Sequence, residues 1–466
     1  ASAASLAAAF AFRRKELLVS VEQLRPYRPA RGEGPERMAE QAPEPEPRQA
    51  DAVAFFRDSP PRVITEIFRR LPARSVLRLR SVCTVLRDVA SNRALLAAVQ
   101  LLHPPQPLIC FRLNACPDRY IQLRDYCVEA LDLHSDTLRP IFRFTDNEYY
   151  DYIANAEGVD ALPIIVTSKD QIHYGEVESD DGGHDPRLMV HASINGLLLV
   201  SFINIWYVCN PATRQWAALP DLRDCDVIGL YEHVSSGEYR VLYHTGKDDE
   251  EASTCYYVLT VGAQEARSIG CPISPAATED LGLDIGLDPA SLSPPVQLRG
   301  SLHWPPQERQ GHHILVFDTE AEVFSWKTAP NPITNGRMQL LEMDHKLAMS
   351  VSKNGKPTLQ LWRLEDYNND IWVQIRRITI QVPRIPALHN TDWFPRVVSP
   401  EGDVLIECEN KLVLHCDRIG NLLQKFQFRE EPPLVRHTLK ETLLPHAIFL
   451  APKPDDAIEP PFFQGL

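Results

Sequence analysis

Apolar side chains recur at helical spacing through Val63, Ile64, Ile67, Phe68 and Leu71, as one face of a helix requires. Pro72 interrupts that run, and a second series follows at Val76, Leu77, Leu79, Val82, Cys83 and Leu86. The spacing predicts two or three short helices over fewer than forty residues. So small a unit buries little, so part of its apolar surface is expected to await a partner. After Leu102 the period changes. Short β-branched and aromatic runs, among them 197–202, 206–210, 240–244, 313–318, 359–364 and 403–408, alternate with Pro, Gly, Asn and Asp, which predicts strands and turns.

These strands follow a repeated plan, in which a polar residue closes a hairpin and a large apolar residue stands six positions later. Asn210 leads to Trp216, Asp318 to Phe324, Asp366 to Trp372 and Asp417 to Leu423. The turn positions are 108, 48 and 51 residues apart, and the long gap leaves room for an unmarked copy around 255–269. An early, weaker copy is visible at 131–141. A period near 50 with several strands per repeat predicts a β-propeller-like domain of about six or seven blades. The competing architecture is a β-sandwich with accidental spacing. The expected fold is therefore mainly β with a small N-terminal α domain. The expected divisions are an extension and linker over 1–52, a helical domain over 53–102, the β domain over 103–452 and a flexible tail over 453–466.

Composition narrows the function classes. A net charge of −14 argues against a general nucleic-acid binder, whose affinity rests on phosphate contacts. The helical segment reverses that balance, with nine arginines from Arg57 to Arg93 against Asp58, Glu66 and Asp88, a pattern suited to an acidic partner. No run reaches the roughly 18 apolar residues of a membrane span. Ten cysteines without a CxxC pair and fifteen histidines without a paired-ligand motif predict no metal site, and reduced cysteines fit a cytoplasmic or nuclear protein. Residues 40–50, rich in Pro and Glu, are expected to stay unstructured, and Met38 is expected to begin the functional protein.

Read residue by residue, the helical segment resembles an F-box, the motif that joins substrate receptors to SCF-type ubiquitin ligases. The matching residues are Pro60, Val63, Ile64, Glu66, Ile67, Phe68, Leu71, Pro72, Ser75, Leu77, Arg78, Arg80, Val82, Cys83 and Arg87. Ser59 stands where the family usually has Leu, and Leu86 where it usually has Trp. Each change removes apolar area worth on the order of 1–3 kcal/mol if fully buried, so a weakened grip is expected. Several strands in turn resemble the F-box-associated domain of plant F-box proteins: 195–200, 207–220, 237–242, 299–304, 314–326 and 361–372, in the order that family uses. The two resemblances imply docking on a Skp-family adaptor, and through it a cullin ligase. The residues implied are Pro60, Val63, Ile64, Ile67, Phe68, Leu71, Pro72, Leu77, Val82 and Cys83. They also imply that the β domain holds an unidentified target protein.

No catalytic constellation accompanies these motifs. GxSxG, GxGxxG and GxxxxGK[ST] are all lacking. Cys209 has no candidate base and reads as a buried strand cysteine, while Glu365-Asp366 and 248–251 read as turn and loop-tip acids. Trp216, Trp326 and Trp372 read as core, and His303-Trp304 could line a propeller mouth, although one pair does not make a site. The expectation is a non-catalytic adaptor without cofactor, metal, nucleic acid or membrane. The alternative is a propeller-like glycan- or protein-binding module that acts outside the ligase.

Overall fold

The computed structural model describes residues 61–114, 124–145, 165–173, 188–245, 255–272, 294–306, 313–330, 336–408, 412–428 and 436–450, apart from a few positions within them, together with 460 and 463. The stretches 1–52 and 248–251 discussed above, including Met38, lie outside them. The chain divides into two compact units, one of residues 1–104 with Lys440–Pro445, the other of 105–439 with 446–466.

Four helices form the first unit among the described residues: α1 (Pro61–Arg69), α2 (Ala73–Leu79), α3 (Thr84–Ser91) and α4 (Arg93–Leu102). Proline at the first position of α1 suits a helix start, where its missing N–H has no partner to lose. Asn92 caps α4 by accepting from the Leu95 N–H at 3.1 Å. Arg80 closes the other end of this corner, because Nε and Nη2 both donate to the Ala90 carbonyl, at 3.0 and 2.7 Å, near the C-terminus of α3. The interior holds Phe68, Leu71, Val76, Leu79, Leu86, Leu95, Leu96 and Val99. The far end of the sequence adds to it: Leu443 is buried, and the Thr442 hydroxyl donates to Gln100 Oε1 at 3.2 Å. The expected shortage of apolar burial in a stretch this short is thus met partly by residues 340 positions away.

The second unit is a six-bladed β-propeller, each blade a four-stranded antiparallel sheet. Blades 2 to 6 run in sequence over 188–219, 225–268, 296–328, 336–379 and 393–427. Blade 1 combines Gln106–Asn114, Arg124–Asp132 and Thr137–Thr145 with Thr438–Leu439 from the other end, paired to Gln106 and Pro107. The ring therefore closes within a sheet, strands from the two ends of the domain pairing in one blade. The first strands of successive sheets pack on one another, so they are the innermost ones. Apolar clusters fill the seams. Leu108, Phe142, Leu198 and Tyr207 lie between blades 1 and 2, and Ile109, Leu131, Leu405 and Val413 between blades 6 and 1.

The repeated turn has one geometry. Asp132, Asn210, Asp318, Asp366 and Asp417 each accept, through Oδ1, the backbone N–H two residues on, at 2.8–3.0 Å. This local bond is why Asp and Asn favour the position. The weak copy at 131–141 is the last hairpin of blade 1. The unmarked copy is blade 3, where Gly262, at φ +95°, stands in the turn and the Ala263 N–H donates to the Thr260 carbonyl. Trp216 packs in the cluster with Phe142 of blade 1, Phe324 meets Tyr256 of blade 3 edge-on at 5.0 Å, and Trp372 Nε1 donates to the Thr328 carbonyl of blade 4 at 2.9 Å. Leu423 departs from the plan: it is exposed, because the strand is bulged at Cys416–Leu422 and Leu422 packs inward instead.

Candidate functional site

Two kinds of surface follow from this architecture. On the helical unit, Val63, Ile67, Leu77 and Val82 keep part of their apolar area exposed, whereas Phe68 and Leu71 lie in the interior. Pro60, Pro72 and Cys83, and the side chain of Ile64, lie outside the described residues. Leu86 is 1% exposed, so it fills the unit's own core. Arg78, Arg87 and Arg93 are exposed, and the Arg80 guanidinium, held down by burial, is occupied with the Ala90 carbonyl. Of the four arginines in this segment whose side chains are described, three thus lie on the outer face.

On the propeller, the fifth residue of the repeated turn carries the seams. Asp136, Arg214, Glu322 and Asp370 each stand four places beyond the turn-closing Asp or Asn, all with left-handed φ of 52–56°. That backbone aims three of them at the preceding blade. Asp136 Oδ1 accepts from His415 Nδ1 of blade 6 at 2.6 Å. Glu322 Oε1 accepts from the Tyr231 hydroxyl and from Arg240 Nη1 of blade 3, both at 2.6 Å, while Oε2 takes Arg267. Asp370 accepts from Lys327 Nζ and from the Thr328 N–H of blade 4, each at 2.9 Å. Burial pushes the Tyr231 hydroxyl above its ordinary range, so it remains a donor to Glu322. Blade 6 solves the same problem without a carboxylate. Gly420, at φ +89°, lies so close to the Thr379 carbonyl that a Cβ would collide with it, and its own carbonyl accepts from the Gln381 N–H at 3.0 Å.

The groups singled out for chemistry are structural. Cys209 is fully buried, its thiol pushed far up by burial and directed at the Leu198 carbonyl at 3.6 Å. His303 and Trp304 do not line a mouth: both are wholly buried. His303 Nδ1 donates to the Val296 carbonyl at 3.1 Å and Nε2 accepts from the Tyr367 hydroxyl at 2.7 Å, while Trp304 Nε1 donates to the Ile228 carbonyl. Alternation on a central strand put both residues inside, because that strand is covered on its two faces. Among the described residues no group of three or more His, Cys, Asp or Glu is placed to hold a metal ion, and no helix is long and apolar enough to cross a membrane.

Comparison with known families resolves what the two units are. The model of the F-box associated beta propeller domain matches residues 167–442, and that of the F-box domain matches residues 60–97. The chain belongs to the F-box associated beta propeller family. F-box protein At5g49610 of Arabidopsis thaliana is 22% identical over 407 residues, spanning 83% of this chain and 97% of its own length. Putative F-box/kelch-repeat protein At1g13200 of the same plant is 22% identical, over 78% of this chain and 82% of its own. Among solved structures, TolB from Acinetobacter baumannii aligns at TM-score 0.36 with 11% identity, covering 77% of this chain and 72% of that one. An F-box joined to this propeller is the domain composition of an F-box substrate receptor, and such families are typically non-catalytic.

Proposed function

We propose that this F-box protein is the substrate-recognition subunit of an SCF-type ubiquitin ligase, its helical unit docking on a Skp-family adaptor and its propeller holding the target. The observation that supports this best is the F-box match over 60–97, on a helical unit that keeps Val63, Ile67, Leu77 and Val82 partly exposed beside exposed arginines. Apolar area that the unit leaves half-covered gives an adaptor its contact, and Phe68 and Leu71, buried beneath, hold the helices at the right spacing. Pro60, Ile64, Pro72 and Cys83 complete the proposed docking set. Mechanistically the protein acts by tethering, which raises the effective concentration of target lysines near the charged ubiquitin carrier. The reading implies a cytoplasmic or nuclear protein.

Co-purification with a Skp-family adaptor tests it. The double substitution Leu71→Ala with Pro72→Ala abolishes the complex, and because Leu71 is interior, a second variant, Leu77→Lys at a half-exposed position, separates loss of docking from loss of folding. Far-ultraviolet dichroism of Leu77→Lys stays at the wild-type signal while adaptor binding falls at least tenfold. Adaptor binding retained by both variants would sink the proposal and leave a propeller that acts outside the ligase.

A further inference from the structure

The outer strand of blade 5, Ile371–Thr379, is the last of its sheet, and among the described residues no strand pairs with its outer side. It runs nine residues, against five, two, six and six in the outer strands of blades 2, 3, 4 and 6. Blade 1 has an outer strand as long, Thr137–Thr145, but Pro140 removes a donor from it. Long edges are commonly blunted by proline or by shortness, because their free N–H and C=O groups recruit other chains. Ile371–Thr379 has neither protection. A register shift opposite Leu361–Trp362 places an extra residue, Ile375, in the strand, yet Ile375 packs into the cluster between blades 5 and 6 and pairing resumes through to Thr379. The strand is also fastened at both ends. Trp372 Nε1 is bonded to the Thr328 carbonyl, and just past Thr379 the Gln381 N–H is bonded to the Gly420 carbonyl.

The character of this edge changes along its length. At its start Ile371 and Val373 are 51% and 44% exposed, and the charges beside them are already paired: Arg363, opposite Val373, bonds Asp344 and Glu365, and Lys327 bonds Asp370. Toward its end the charge is basic. Between Asp370 and Asp392 the chain carries Arg376, Arg377 and Arg384 and no acidic residue. Arg377, Arg384 and Arg418, the last from the turn of blade 6, are exposed and have no carboxylate partner among the described residues. Gly402 ties Arg418 to the strand, since a Cβ there would come within 2.8 Å of Arg376 Nη1 and 3.5 Å of Arg418 Cβ. Arg376 itself donates to the Glu401 carbonyl at 2.6 Å, and Asp417 accepts from the Ile419 and Asn421 N–H groups of its own turn.

We propose that this edge receives an extended segment of the target by strand addition, one in which β-branched or aromatic residues that meet Ile371 and Val373 stand beside acidic residues that meet the arginines. Main-chain pairing along the free edge supplies the hold, and the step from apolar to basic sets the direction and register of the added strand. A second copy fits less well, because each strand would bring Arg376 and Arg377 to the pair and neither would bring an acid. This inference rests on reading the propeller as the target-holding half, and it deepens that reading by naming the edge and the chemistry it takes.

The test uses the full chain and, as probe, a displayed library of random nonapeptides. Selection on the wild-type chain enriches peptides that combine Val, Ile, Thr or aromatic residues with Asp or Glu. One enriched peptide is then synthesised and its affinity measured. Arg377→Glu with Arg418→Glu weakens it about tenfold or more, and so does Val373→Lys. Val323→Lys, the same change at a 55% exposed position on the outer strand of blade 4, leaves it unchanged. Each variant keeps the wild-type thermal midpoint. Amide hydrogen exchange slows over Ile371–Thr379 when the peptide binds, and stays as it was over Val323–Thr328. A selection without acidic enrichment, or equal binding by the arginine and Val373 variants, overturns the proposal. Binding without protection of Ile371–Thr379 overturns strand addition. A dimer in sedimentation that Val373→Lys dissolves assigns the edge to a second copy and overturns the acidic partner. Adaptor co-purification by the same variants stays at the wild-type level, so failure here is distinguishable from failure of the docking reading.

Discussion

Replacing Glu322 tests whether the fifth turn residue holds neighbouring blades together. Its side chain is 7% exposed and takes three donors from blade 3, the Tyr231 hydroxyl, Arg240 and Arg267. Arg240 is itself only 14% exposed, so removing the carboxylate takes away its buried partner and leaves it the half-exposed Glu238, at 2.8 Å. Breaking a buried pair from one side costs about 3–5 kcal/mol. Arg267 is 57% exposed, so solvent compensates most of its loss. Backbone strain cancels from the comparison, because Glu, Gln and Ala all meet the same left-handed φ of 55° there. Glu322→Ala should therefore lower unfolding free energy by about 3 kcal/mol, the low end of that range, because Glu238 still compensates the Arg240 charge. Glu322→Gln, which keeps an acceptor for Tyr231 but not the charge, should lose about 1–3 kcal/mol. Tyr231→Phe alone should lose about 1 kcal/mol, and the double variant with Glu322→Ala should be less destabilised than the sum by a similar amount. Urea unfolding followed by tryptophan fluorescence measures each term, with Glu265→Ala, an exposed carboxylate of blade 3, as a control that leaves the midpoint unchanged. If Glu322→Ala stays within about 1 kcal/mol of wild type, the carboxylate is not holding the seam and the reasoning fails.

Two further predictions follow from burial. Leu86→Trp restores the residue usual in F-boxes, but Leu86 is 1% exposed in the helical core, so the larger ring should overpack and destabilise that unit by about 1–3 kcal/mol; a variant as stable as wild type in thermal unfolding would show spare room there. Acid should destabilise the propeller through its buried histidines: burial lowers His303 to about 4, where Nε2 must stay unprotonated to accept from Tyr367. The folded pKa is below the unfolded one, so this stability is fully present above about pH 6.5 and is lost as pH falls toward 4. His303→Gln should then reduce the dependence of unfolding free energy on pH in that window by about 1.4 kcal/mol per unit, and an unchanged slope would contradict the assignment.

The propeller was legible because its phasing marks have local causes. Asp318 folds back onto its own Glu320 N–H, and Trp372 stands in fixed register after Asp366, so both signals sit within one hairpin and recur with each blade. Where the local signal was different, as with Gly262 in place of an Asx turn, the copy was found only by the gap it left. Leu423 failed for the opposite reason. The bulge between His415 and Cys416 shifts the strand by one, which exchanges inside for outside, and no residue type announces a bulge. Six blades rather than seven follows from the shared first blade, since two strand residues near position 438 complete a sheet begun at 106.

The residues that hold the seams were not legible, because their partners are set by closure of the ring. Glu322 and Tyr231 are 91 positions apart, and Asp136 and His415 279. Nothing in either neighbourhood distinguishes a seam carboxylate from a solvated turn acid. The distinguishing fact, a left-handed backbone four places after the turn-closing residue, exists only once the hairpin is formed. With the blades phased, however, a rule becomes available: the fifth turn position is the one to inspect for a partner on the preceding blade. The seam contacts in this fold are thus encoded by position within the repeat rather than by any contiguous motif. The family of both units was nonetheless legible, the helical unit through one contiguous match and the propeller through short runs in a fixed order, because both depend on local sequence and the seam partners do not.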